Sequence, residues 1–532
     1  MEVNCISYKD TGFFSETVSN YLDDAPGLRP FYSYRPTIEG FRQILQTKNV
    51  IADRKLLVDI LIEQYERNGI AFDQLPLQGA RGLGEANTYT ITTGHQLNIF
   101  AGPLYFIYKI VTAIKLSRQL KEEFPDKNFV PVYWMASEDH DFAEINYTNI
   151  GGKKVHWWYE AQGATGRINP DSMRQALNQY KGVLGMEGHA NELAEIVETA
   201  YTKFDKLADA TRYLVNALFG QYGLIVIDAD DKRFKKHFAK IIEQDIIEQQ
   251  SFKNIEATNK KLQHQGVDIQ VNPREINFFY LLDGLRERIT FDGGRYKVLN
   301  TEIDFSEEEI KQEIMANPER FSPNVVMRPV YQECILPNIA YVGGGAEIVY
   351  WLELKSTFDH YHVDFPILIL RNSALIIPER TAGKIGRMKL SPVNLFRSTD
   401  EIKKLWVKAH SEHRLSLNDE WQELQSVFEK IKSRLGNIDP TLKPSAEAAQ
   451  ARLKHAIDNL EKKLVKAEKL NYKTRLEQIE QIKAELFPKN SLQERAENFG
   501  LFYVKWGHVF IGELVKHFEP LDFKFTVLTE SN

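Results

Sequence analysis

The sequence predicts an α/β protein in which a mostly parallel sheet carries a long antiparallel α-helical coiled-coil arm. Two observations point there. Between about residues 86 and 375, short apolar runs alternate with stretches of helical periodicity, the pattern of βα units around a parallel sheet. Beyond about residue 380 the chain turns to long charged helices with apolar residues three and four apart.

The first βα unit spans Asn87 to Ala136. Asn87 to Thr92 reads as a strand and Thr93-Gly94-His95-Gln96 as a turn, and Gly102-Pro103 opens a helix because proline suits the first helical turn. Leu104, Ile107, Tyr108, Val111 and Ile114 then recur at helical spacing. The helix ends near Phe124-Pro125, and Phe129 to Ala136 is a buried strand with Ser137-Glu138-Asp139-His140-Asp141 directly after it. A second unit repeats this grammar: Ile339 to Val342 as strand, Gly343-Gly344-Gly345 as loop, Ala346 to Tyr361 as helix, and Phe365 to Leu370 as strand. Gly223 to Ile227 is a further buried strand ending at Asp228 and Asp230. Residues 150–220 and 250–320 read as insertions, the latter with a hairpin at Asp292-Gly293-Gly294.

In the arm, Trp421, Leu424, Phe428, Ile431 and Leu435 form one apolar seam, and Leu453, Ile457, Leu460, Leu464 and Ala467 form the returning one. Gly436 through Pro440 breaks the helix between them. The expected units are therefore a core over 1–380, an arm over 381–490, and a segment over 491–532 whose aromatics pack back on the core.

Composition narrows the function. With 43% hydrophobic and 26% charged residues the chain is an ordinary folding one, and a net charge of -6 gives no broad positive field for nucleic acid. The beginning MEVNCISYKDTGFF lacks the basic and apolar regions of a secretion signal, and no apolar run reaches membrane-spanning length. Cys5 and Cys334 stand far apart, in no metal-ligand spacing, as in a reducing compartment. The expectation is a cytoplasmic protein acting on small molecules, with no nucleic-acid or membrane partner and no tightly bound metal.

The strongest chemical cluster is Ser137 to Glu144, since ligands of open α/β sheets bind at the carboxyl ends of strands. Its crowded carboxylates and imidazole suit a general base or a cation site. The competing reading is a solvated loop that caps the next helix. Thr93 to Gln96 and Gly343 to Glu347 are glycine turns where backbone N–H groups can meet an anion, or simply tight turns. Neither is a nucleotide-binding fingerprint. Ser322, Asn324 and Arg328 precede the second turn, and the Arg328 guanidinium suits a carboxylate or a structural ion pair.

Five blocks together carry a resemblance: TTGHQLNIFAGPLYFIYKIVTAIKL, VPVYWMASEDHDFAEIN, SPNVVMRPVYQECILPNIAYVGGGAEIVYW, FPILILRNSA and SLQERAENF. In this order they resemble the cysteine-adding enzymes of bacillithiol biosynthesis, the BshC family, over essentially the whole chain. The resemblance implies a Rossmann-like core with inserted connecting segments and a coiled-coil arm used in homodimerisation. It also implies a ligase that joins L-cysteine to glucosaminyl malate. The implied substrate pocket comprises Thr93, Gly94, His95, Gln96, Ser137, Glu138, Ser322, Asn324, Arg328, Gly343, Gly344, Gly345 and Glu347. Asp139, His140 or Asp141 would deprotonate the amine, and ATP is the expected activator of the cysteine carboxylate. Glutamine is common in the family where His95 stands, which gives His95 a binding rather than a catalytic role. Two other readings stay open: a nucleotidyltransferase or metal-assisted hydrolase using SEDHD, and a coiled-coil scaffold without catalysis.

Overall fold

The computed structural model describes residues 1–70 and 74–530. Its centre is a five-stranded sheet of β1 (Thr88–His95), β2 (Asn128–Met135), β3 (Ile225–Asp228), β4 (Asn338–Gly343) and β5 (Ile367–Leu370). The strands lie in the order β3-β2-β1-β4-β5, and every neighbouring pair is parallel. This is a doubly wound Rossmann-like order, and the winding reverses between β1 and β4, where a crevice opens at the carboxyl ends.

Four helices frame that crevice: α1 (Leu104–Glu123), α2 (Lys232–Glu248), α3 (Arg328–Ile335) and α4 (Gly345–His360). Alternate residues of each strand point to opposite faces. Tyr89, Ile91, Tyr133, Val226, Val342 and Ile369 pack on the face covered by α1. Val132, Trp134, Ile227, Tyr341 and Leu368 pack on the other, with Ile348, Trp351 and Leu352 of α4. Both faces are thus covered, which is why β4 is buried throughout and β1 as far as Gly94, with no alternation in sequence. Trp351 belongs to this core, stacked on Tyr341 with ring centroids 4.3 Å apart.

Strand ends differ from expectation. β1 continues through Thr93, Gly94 and His95, because its parallel register with β2 runs on to His95 opposite Met135. The three glycines form no loop either: Gly343 ends β4, Gly345 begins α4, and none has a positive φ.

The inserted segments build around the sheet. Residues 147–156 form a small hairpin, and helices over 174–219 follow it. A second sheet, antiparallel, gathers the strands Phe278–Leu282, Leu285–Asp292, Arg295–Val298, Asp304–Phe305 and Phe321–Pro323. The expected hairpin is present, with Gly293 and Gly294 at φ 60° and 78° between Asp292 and its partner Arg295. Two consecutive positive φ values define the tight turn that matches strand twist, and glycine adopts them without a Cβ clash.

The arm is the helix pair α5 (Asn418–Ile438) and α6 (Lys443–Asn471). Gly436 does not break α5. The break comes at Asp439, extended at φ -154° before Pro440, since a residue preceding proline is pushed out of the helical region. Among the described residues no helix is long and apolar enough to cross a membrane.

The strand Lys524–Thr529 lies between Glu2–Ser7 and Ala374–Ile377, joining both ends of the chain to its middle. Nearby, Phe100, Ala101 and Gly102 all have positive φ, at 54°, 59° and 55°. Buried Asn498 holds this kink. Its Nδ2 donates to Phe100 O at 2.9 Å and Gly102 O at 2.7 Å, while its Oδ1 accepts from the Tyr180 hydroxyl and Gly500 N–H, both at 2.8 Å. Asn498→Ala strands these buried groups and should cost roughly 2–4 kcal/mol of stability by urea unfolding. A loss below about 1 kcal/mol would show that the kink holds itself.

Candidate functional site

The crevice between β1 and β4 contains a cavity of about 680 Å³. Gly94, His95 and Gln96 form one wall, Ser137 to His140 a second, and Asn324, Arg328, Tyr341, Glu347 and Tyr350 a third. The inserted sheet closes the fourth side with Phe279, Arg286 and Arg288.

An ion pair between buried Lys109 and half-buried Glu347 fixes the crevice. Lys109, on α1, sends Nζ back to Gly94 O at 2.5 Å and to Glu347 Oε2 at 2.7 Å. The same Glu347 oxygen accepts from Gly344 N–H, and its Oε1 accepts from the Tyr341 hydroxyl, each at 2.7 Å. Burial alone would raise the Glu347 carboxyl, but Lys109 and these donors outweigh it and hold it below the usual carboxylate range. Burial pushes the Lys109 ammonium down, with Glu347 opposing. A Cβ at Gly94 would lie 3.3 Å from the Tyr341 hydroxyl, tighter than an ordinary contact, so a larger residue there would press on the Tyr341 side of the crevice.

The acidic loop is tied to the inserted sheet. Glu138 meets buried Lys235 of α2 at 2.5 Å, and its Oε2 accepts from the Ser322 hydroxyl at 3.0 Å. Arg286 donates to Ser322 Oγ at 3.1 Å, lies 2.6 Å from His140 Nδ1, and sits 4.0 Å over the Phe279 ring. A guanidinium only donates, so His140 Nδ1 is the acceptor and the ring proton sits on Nε2. Burial and Arg286 push the His140 imidazole below its ordinary value, against the pull of Asp139 and Asp141. Asp139 Oδ2 accepts from Gln96 Nε2 at 2.6 Å, linking this loop to the end of β1.

The structure brings Gly94, His95, Gln96, Ser137, Glu138, Asp139, His140, Asn324, Arg328 and Glu347 to the cavity wall. Others expected there are elsewhere. Asp141 is exposed and stands at the start of the short helix Phe142–Ile145, outside the lining. Thr93 turns inward and donates from Oγ1 to Val342 O at 2.8 Å, bracing β1 against β4. Ser322 lies behind the wall, occupied by Glu138 and Arg286. Gly343, Gly344 and Gly345 do not line the cavity, and Gly344 N–H is taken by Glu347. Gly343 is glycine for packing: a Cβ would meet Glu347 Cβ at 3.0 Å. Among the described residues no three His, Cys, Asp or Glu side chains form a metal-holding group.

Lys109, Lys235, Arg274, Arg286 and Arg288 were missing from the sequence-based set. Lys109 carried a signal, being the one cation in the apolar run from Leu104 to Ile114. Arg286 and Arg288 share one face of a strand by their alternation. Lys235 stands among other basic residues and carried none.

A family description, Bacillithiol biosynthesis BshC, N-terminal Rossmann-like domain, matches residues 1–372. Its companion, the C-terminal coiled-coil domain, matches residues 374–530. The chain belongs to the bacillithiol biosynthesis BshC family. BshC proteins named "Putative cysteine ligase BshC" are similar to it from end to end. That of Flavobacterium johnsoniae is 42% identical, covering 99% of this chain and 100% of its own. That of Flavobacterium psychrophilum is also 42% identical, covering 99% of each chain. That of Bacillus cereus is 25% identical over 97% of this chain and 98% of its own.

In this BshC chain His95 stacks on Phe106, and its Nε2 is buried without a protein partner. Burial and the Lys109 ammonium push the imidazole down to about 3. The unfolded chain binds that proton near 6.5 and the folded one only near 3, so His95 subtracts stability as pH falls through this window. His95→Gln should therefore lose less stability than the wild type between about pH 7.5 and about pH 4.5 in urea titrations. Equal losses would mean that the folded imidazole protonates as freely as the unfolded one.

Proposed function

We propose that this chain is the ligase that joins L-cysteine to glucosaminyl malate through an amide bond, the last step of bacillithiol biosynthesis. The observation that carries the reading is one cavity holding two unlike walls: Asp139 with His140 on one side, and guanidiniums that meet no carboxylate on the other. Among the described residues Arg274, Arg288 and Arg328 have no acidic partner within ion-pair distance. An amine to be deprotonated and an anion to be held are what this substrate presents. The full-length match to BshC ligases supports the same assignment.

Amide formation needs a leaving group on the cysteine carboxylate. ATP is the co-reactant this reading assigns for that purpose, with Arg274 and Arg288 of the inserted segment available to phosphate oxygens. Arg328, deeper in the crevice, takes a malyl carboxylate. In the bond-forming step the glucosamine nitrogen attacks the activated cysteine carbonyl, the leaving group departs with its electron pair, and the nitrogen gives up a proton. Asp139 is the proposed acceptor, for His140 Nδ1 is engaged by Arg286. Gln96 Nε2 and the Asp141 N–H donate to the carboxylate and hold it in place.

The arm is proposed to pair with a second copy of the chain. No residue of α5 is buried, and Val427, Ile431, Leu460 and Leu464 expose apolar surface on its two helices. Val427→Asp with Ile431→Asp should give a monomer by light scattering with an unchanged circular dichroism spectrum; a persistent dimer would place the interface elsewhere.

The catalytic reading is tested in cells lacking this gene and complemented with variants. Wild type should restore bacillithiol, and Asp139→Asn should accumulate glucosaminyl malate, its purified enzyme slowed ~10²–10⁴-fold. Asp141→Asn, altered outside the cavity, should stay within about threefold of wild type. An active Asp139→Asn would remove the proposed base, and unchanged thiol in the uncomplemented strain would remove the reaction itself.

A further inference from the structure

Arg328 is the first residue of α3, and Gln332 lies one turn later on the same helical face. Its Oε1 accepts from Arg328 Nη1 at 2.9 Å. A second guanidinium nitrogen, Nη2, is buried without a hydrogen-bond partner, and Arg328 lines the cavity.

Gln332 is itself held from behind. Its Nε2 donates to Glu333 Oε1 at 3.0 Å, and Asn338 Nδ2 donates to the same oxygen at 2.6 Å. Lys48, from the end of the helix Ile38–Thr47, lies 3.5 Å from Glu333 Oε2. Asn338 Oδ1 in turn accepts from the Thr90 and Thr92 hydroxyls of β1, at 3.1 and 2.8 Å. Gln332, Glu333 and Asn338 are all fully buried, with 0%, 2% and 0% exposure, so none trades these partners for water.

This arrangement determines which way the Gln332 amide faces. A guanidinium can only donate, so the Gln332 oxygen faces Arg328, and the NH₂ end is then left to donate to Glu333. The oxygen then engages Nη1 and leaves Nη2 without a hydrogen-bond acceptor beside the cavity that Arg328 lines. A neutral amide does this without cancelling the positive charge, as a carboxylate at the same place would.

We propose that Gln332, fixed by Glu333, is a positioning residue that orients Arg328 to receive a carboxylate of the malyl group. The inference rests on the reading of Arg328 as the malyl-binding cation. It makes the Lys48–Glu333–Gln332 network a determinant of affinity for the dicarboxylate substrate rather than of the chemical step.

The test is a double-mutant cycle on the full chain, with Gln332→Met, Arg328→Ala and both together, using glucosaminyl malate as the probe in calorimetry and in steady-state turnover. Gln332→Met should raise Kd and KM for glucosaminyl malate ~10-fold or more while kcat stays within about threefold, and should add nothing further in the Arg328→Ala background. Gln332→Glu should weaken binding as well, since its charge neutralises Arg328, and Glu333→Gln should weaken it less because either amide orientation becomes possible. Circular dichroism and unfolding midpoints identify any variant that fails to fold, and Glu333→Gln then carries the comparison. If Arg328→Ala loses affinity while folded Gln332→Met and Glu333→Gln bind as wild type, the positioning role is overturned and the malyl reading stands. If Gln332→Met weakens Arg328→Ala as much as it weakens wild type, Gln332 acts structurally and the proposal fails. Undiminished binding by Arg328→Ala would overturn both.

Discussion

The geometry of the site depends on a buried lysine that crosses the crevice. Lys109 leaves a helix on one face of the sheet and meets Glu347 at the start of a helix on the other. Burying an ammonium and a carboxylate costs several kcal/mol for each ion, and their attraction compensates only when the remaining hydrogen-bonding groups are satisfied. Here Gly94 O gives the ammonium a second acceptor, and Gly344 N–H and the Tyr341 hydroxyl donate to the half-buried carboxylate, so the two halves of the doubly wound sheet are held together across the crevice. A hydrophobic pair of the same volume would hold the helices but would leave Gly94 O and Gly344 N–H unpaired.

With the crevice fixed, the inserted sheet determines what the acidic loop can do. SEDHD carries enough charge to repel itself, and the structure divides that charge among separate partners. Glu138 goes to Lys235, Asp139 to Gln96, and His140 to Arg286. Asp141 faces solvent. The carboxylates therefore diverge, which favours one of them as a proton acceptor over several as a shared ligand set. Arg286 has two jobs in this division, since it draws His140 inward and also holds Ser322, the hydroxyl that reaches Glu138.

The fold was legible because its two periodicities are so unlike. Apolar runs of strand length separated by helical ones admit few arrangements, and the seams from Trp421 to Ala467 admit only helices. The ends of the strands were not legible. Thr93 and Gly94 have the composition of a turn, and long-range contacts, pairing with β2 and the bonds to Val342 and Lys109, keep them extended. The site was legible as a place, because strand ends in such sheets bind ligands, but not as a list of side chains. Thr93 and Arg328 look equally polar in sequence. One faces a neighbouring strand and the other a cavity, and the difference is one of pleat and helix phase. Triple glycine misled for a related reason: it suggested free N–H groups, whereas Gly343 answers to a crowded Cβ and Gly344 N–H already has its acceptor.

The late block SLQERAENF shows how a family signature can be structural and still serve the site. Gln493 bonds both main-chain groups of Ile376, and Glu494 forms a buried pair with Arg371 at 2.7 Å. Arg371 lies over the Tyr105 ring on α1, and its N–H donates to Gly343 O at the end of β4. Asn498 grips the kink between β1 and α1. These contacts fix the segment that follows β1 and the one that follows β5, the latter against the end of β4. None of the three side chains lines the cavity. Residues outside the cavity can therefore still fix its geometry, provided that the backbone they hold is strained or would otherwise be free. Phe100, Ala101 and Gly102, all at positive φ, are such a backbone: two of the three carry a Cβ that opposes the conformation, and side-chain hydrogen bonds from the far end of the chain offset that cost.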